Sequence, residues 1–101
     1  MFEVLDGIIK LDSEVRYADE ILFSIRAMLV EAYGHYINIK RCEFFKNEEE
    51  RLQSIKLCKS YIEMSKGKLE ELKSLINEIE RELSELETLL SFLLNSSSSN
   101  V

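Results

Sequence analysis

In the second half of the chain twelve positions repeat at alternating spacings of three and four: Ile55, Cys58, Ile62, Ser65, Leu69, Leu72, Ile76, Ile79, Leu83, Leu86, Leu90 and Leu93. Ten of the twelve are large and apolar. An α-helix turns once in about 3.6 residues, so this spacing gathers one narrow apolar seam onto one side of a helix, the pattern by which helices pair. A second row, Val15, Ala18, Leu22, Ile25, Leu29, Ala32, Tyr36 and Ile39, runs through the first half. Ile21, Phe23, Met28 and Val30 widen its apolar face, which predicts contact on more than one side.

The polar punctuation sets the expected boundaries. Asp12 or Ser13 can cap a first helix over residues 13–44. Gly34 interrupts it at a cost of about 1 kcal/mol relative to alanine, but the period survives to Ile39, so the helix is expected to continue. Asn47 followed by Glu48, Glu49 and Glu50 offers a cap, three acids at the positive end of the helix dipole and a capping box, opening a second helix over 47–94. Gly67 lies on the side of this helix farthest from the seam, and the register is the same before and after it, which favours one unbroken helix. Asn95 to Val101, with four consecutive serines, reads as a disordered tail. Residues 1–12 admit two readings. One is a short amphipathic helix; the other is a β-hairpin over 2–11 turning at Asp6-Gly7.

The expected fold is all-α, a single domain over residues 1–94, in which a short turn at Phe45 and Lys46 folds the helices into an antiparallel hairpin. The alternatives are a monomeric three-helix bundle broken at Gly67, and an α+β chain with the N-terminal hairpin. A first helix starting at Ser13 reaches only to about the level of Asn77, leaving Ile79 to Leu93 uncovered. Such a stripe calls for a second subunit. The charges beside the seam run Lys59, Lys66, Lys73, then Glu80 and Glu87. A parallel pair would set like beside like, whereas an antiparallel pair centred between Asn77 and Glu78 opposes Lys73 to Glu80 and Lys66 to Glu87, with Ile76 facing Ile79. The expected dimer interface is therefore Leu69, Leu72, Ile76, Ile79, Leu83, Leu86, Leu90 and Leu93, flanked by Lys66, Lys73, Glu80 and Glu87.

Composition narrows the function without naming it. The chain has 46% hydrophobic residues, no proline and a net charge of −6, which suits helices and disfavours nucleic acid as a primary ligand. Nine of the thirteen Lys and Arg residues nevertheless fall between Lys40 and Lys73, so a nucleic-acid-associated dimer using that surface is the alternative function. Cys42 and Cys58 lack metal-ligand spacing, and no Glu-x-x-His accompanies the glutamates, so no metal or cofactor is expected. His35, the one histidine, falls near the level of Cys58 in the hairpin; core packing is the better reading of both. Phe44 and Phe45 at the hairpin tip are candidate anchors for a partner protein. With no basic leader and no long apolar window, a cytoplasmic location is expected. The sum is a small homo-oligomeric helical scaffold, adaptor or regulatory subunit that binds proteins and is not an enzyme.

Overall fold

A computed structural model describes the backbone of residues 2–99 and the side chains of residues 3–96. Two helices hold nearly all of them, α1 over Phe2–Phe45 and α2 over Glu48–Ser99, and no strand occurs among the described residues. The chain is all-α.

Two boundaries differ from the sequence reading, the start of the first helix and the end of the second, and the expected continuity through Gly67 is found. The first helix starts at Phe2, not Ser13, and the β-hairpin over 2–11 does not form. Two isolated strands have too few partners to persist in water, whereas a helix satisfies its backbone groups internally. Gly7 serves close packing instead of a turn: a β-carbon there would lie 2.8 Å from Leu86 Cδ2. α2 runs unbroken through Gly67, so the three-helix arrangement is not adopted. A solvent-facing glycine costs about 1 kcal/mol, while a break would forfeit the register of a long seam. It continues past Leu94 to Ser99 where a disordered tail was expected, because neither glycine nor proline interrupts its ladder. Asn100 and Val101 lie outside the described residues.

The reversal between the helices is built from two interlocked caps. Lys46 takes a left-handed φ of 61°. Its N–H donates to the Glu43 carbonyl at 3.4 Å, and that of Asn47 donates to the Cys42 carbonyl at 3.0 Å, the bond pattern of a Schellman C-cap. Asn47 then caps α2. Its Oδ1 accepts the Glu50 N–H at 3.2 Å, and its Nδ2 donates to Glu50 Oε2 at 3.0 Å.

Contacts divide the chain into two compact units. The turn unit is Glu20–Leu72; the end unit joins Met1–Asp19 to Lys73–Val101. In the turn unit Ile21, Ala32, Cys42, Ser54, Ser65 and Leu72 are buried, and His35 stacks on Tyr61 with ring centroids 5.6 Å apart. In the end unit Leu11 and Glu82 are buried, Leu86 lies against Gly7, and Lys10 pairs with Glu82.

Local backbone terms make separable predictions. Lys46→Gly should stabilise the chain by about 1 kcal/mol, since a β-carbon in the left-handed region costs roughly that. Gly34→Ala should gain up to about 1 kcal/mol, because an added β-carbon meets nothing within 4 Å. Gly7→Ala should gain less, as Leu86 must shift. Urea-unfolding midpoints, at unchanged slope, are the measurement.

Candidate protein interaction surface

The inner face of each helix is one residue out of step with half of its most apolar row. Along α1, Val4, Gly7, Leu11, Glu14, Ala18, Ile21, Ile25, Met28, Ala32, His35, Ile39 and Cys42 are buried or half-buried. The expected seam shares only Ala18, Ile25, Ala32 and Ile39 with that set. Along α2 the inner set includes Ser54, Cys58, Tyr61, Ser65, Lys68, Leu72, Leu75, Ile79, Glu82, Leu86 and Leu89. Of the expected interface residues, Leu72 is thus covered within the chain, and Ile79 and Leu86 largely so. The reason is the earlier start of α1, which carries Gly7 to Leu86, well beyond the level of Asn77.

Among the many large apolar residues left exposed, Phe23, Val30, Tyr33 and Phe92 with them, one row on each helix keeps a heptad period. In the turn unit the row residues are Leu22, Leu29 and Tyr36 on α1, with Ile62 and Leu69 on α2. In the end unit they are Ile8 and Val15, with Ile76, Leu83 and Leu90. Each is between 42% and 53% exposed. Within each unit these residues directly follow inner positions of their helix. Numbering along α1 and α2 runs in opposite senses through the contacts of the end unit, Gly7 with Leu86 and Lys10 with Glu82, so within that unit Ile8 and Val15 border the seam on the same side as Ile76, Leu83 and Leu90. Lys66, Lys73, Glu80 and Glu87 flank the α2 row and are exposed, and Leu93 is on the margin of exposure. Ile8 was missed by the sequence reading; its seven-residue spacing from Val15 was the available signal.

Meanwhile polar groups occupy the inside. Lys10 Nζ lies 2.7 Å from Glu82 Oε1, with Arg81 Nη2 at 3.8 Å from the same oxygen. Glu14, its side chain 16% exposed, lies 4.0 Å from Lys10. The hydrogen bond from Lys10 holds the Glu82 carboxyl below the usual range. Burial, then hydrogen bonding to Glu82 and its charge, lift Glu14 above it. Ser65 returns its hydroxyl to the Tyr61 carbonyl at 2.9 Å.

The groups considered for chemistry are dispersed. His35 stacks on Tyr61, and burial pushes the Cys42 thiol up, away from thiolate reactivity. Among the described residues no cluster of three or more His, Cys, Asp or Glu is placed to hold a metal. A shallow cleft of about 240 Å³ in the end unit is lined by Glu3, Gly7, Lys10, Glu82, Leu86 and others. In the Lys40–Lys73 segment Arg51, Lys59 and Lys68 each pair with a glutamate one turn away, which breaks up the positive surface. Phe44 and Phe45 close α1 edge to face, centroids 5.1 Å apart, and are 80% and 67% exposed. No helix is long and apolar enough to cross a membrane among the described residues.

The inner carboxylates predict opposite pH effects. Glu14, with a raised pKa, loses stability as pH climbs through that value, so Glu14→Gln should help progressively more above the ordinary carboxylate range. Glu82, with a lowered pKa, contributes above its unfolded value and loses that contribution as pH falls. Lys10→Met should therefore weaken the fold more at pH 7 than at pH 3. Denaturant unfolding across pH reads both.

Compared with family models, curated proteins and solved structures, the chain matches none, so its own surface carries the functional reading.

Proposed function

We propose that the chain is a homo-oligomeric helical scaffold, an adaptor or small regulatory subunit that works by protein–protein contact in the cytoplasm. In this reading each chain is an antiparallel helical hairpin, and two copies form a bundle. One observation carries it: Leu22, Leu29, Leu69, Ile76, Leu83 and Leu90 stay half-exposed at heptad spacing while Ser54, Ser65 and Glu82 are buried. A lone hairpin gains nothing from keeping leucines wet and a carboxylate dry. Burial of apolar surface stabilises by about 25 cal/mol per Å², so covering the outer rows against another chain supplies what the inner face lacks. The exposed Phe44–Phe45 pair stands clear of those rows and suits an anchor for a second protein, as aromatic side chains commonly dominate interfaces.

Mass in solution tests the reading. Sedimentation equilibrium should give a multiple of the 11.8 kDa chain at micromolar concentration, and a monomer throughout that range would overturn it. Leu83→Ser should weaken association at least about tenfold with little loss of helicity, since its side chain is 53% exposed within one chain. Leu72→Ala, at a site 6% exposed, should instead destabilise the fold itself by about 2–5 kcal/mol.

A further inference from the structure

We infer that the end unit is a proton-operated clasp: the cluster of Lys10, Glu14 and Glu82 holds its two helical segments together while it keeps one bound proton, and loss of that proton loosens this unit but not the turn unit. The clasp belongs to a single chain and stands whether or not copies associate.

Charge count and burial carry it. Within the end unit α1 brings Lys10 and Glu14 to the cluster, and α2 brings Glu78, Arg81, Glu82 and Glu85. Lys10 Nζ serves both inner carboxylates, at 2.7 Å from Glu82 and 4.0 Å from Glu14. Arg81, 3.8 Å from Glu82, is itself hydrogen-bonded to Glu78 and Glu85. Fully ionised, Glu14, Glu78, Glu82 and Glu85 outnumber Lys10 and Arg81 by two, and Glu3 lines the same cleft. Glu14 Oε2 and both Glu82 oxygens are closed off from solvent, so water cannot answer the excess charge. Burial and the neighbouring Glu82 lift Glu14 above the ordinary carboxylate range, while the bond from Lys10 holds Glu82 below it. Glu14 therefore supports the closed unit at low pH and ceases to as pH rises through its raised value. The contribution of Glu82 is lost as pH falls through its lowered value. The end unit is tightest between the two. In the turn unit the buried polar residues are Ser54 and Ser65, which carry no charge.

Amide hydrogen exchange on the full chain between about pH 4 and pH 7, corrected for intrinsic rates at fixed chain concentration, tests the clasp. Protection at Leu11, Glu14, Ile79 and Glu82 should fall about threefold or more as pH rises across that interval, and protection at Ile25, Ala32, Cys58 and Ser65 should fall less. Glu14→Gln, which cannot ionise, should abolish the fall. In the unaltered chain the side-chain carboxyl carbon of Glu14, followed by NMR, should titrate at higher pH than that of the exposed Glu20, a readout independent of any variant's folding. Protection that stays flat with pH, that falls equally in both units, or that falls equally in Glu14→Gln overturns the clasp. So does a Glu14 carboxyl that titrates together with Glu20.

Discussion

A helix that is apolar on more than one side cannot be dried by a single neighbour, and this constraint organises the molecule. α1 carries inner residues such as Leu11, Ile21 and Ile25, and directly after the inner positions it carries Ile8, Val15, Leu22, Leu29 and Tyr36. α2 repeats the arrangement with Leu72, Leu75 and Ile79 inside and Ile62, Leu69, Ile76, Leu83 and Leu90 outside. One partner helix covers an arc of roughly two positions per heptad. The remaining row must be covered by another chain or stay wet.

The inner face shows what was favoured in that division. Beside leucines and isoleucines such as Leu11, Ile21 and Leu72 it holds small or polar residues, Gly7, Ala18, Ala32, Ser54, Ser65, Glu14 and Glu82, which permit close approach and directional bonds. Partly shielded charges such as Lys10 and Glu82 gain little net stability, because desolvation offsets their attraction. They do penalise displacement, since a helix slipped by one turn would separate the ammonium from its carboxylate at 2.7 Å. The inner face thus reads as a register device. The outer rows keep further apolar surface that the inner face does not use.

Among the described residues no three His, Cys, Asp or Glu side chains gather where they could hold a metal ion. His35 is engaged in ring stacking with Tyr61, and the Cys42 thiol is buried. The acids of α2 largely answer cations on their own helix, as Arg81 does with Glu78 and Glu85. Such pairs support an exposed helix and leave little free charge for recognition. The aromatic pair at the end of α1 and the heptad rows are among the exposed apolar surfaces of the described residues.

The sequence alone determined that the chain is helical, where one helix gives way to the next and which residues share a row. Asn47 with its three glutamates marked the start of α2 to within one residue, because a cap acts through its immediate neighbours. Periodicity likewise carried both helices through Gly34 and Gly67. Tertiary structure alone decided which flank of the wide stripe turns inward. Positions one residue apart point about 100° from each other, and heptad spacing is equally regular for both. That choice depends on where the opposite helix lies, as in the approach of Gly7 to Leu86 and the reach of Lys10 to Glu82. These contacts join residues far apart in the chain, and no local pattern encodes them.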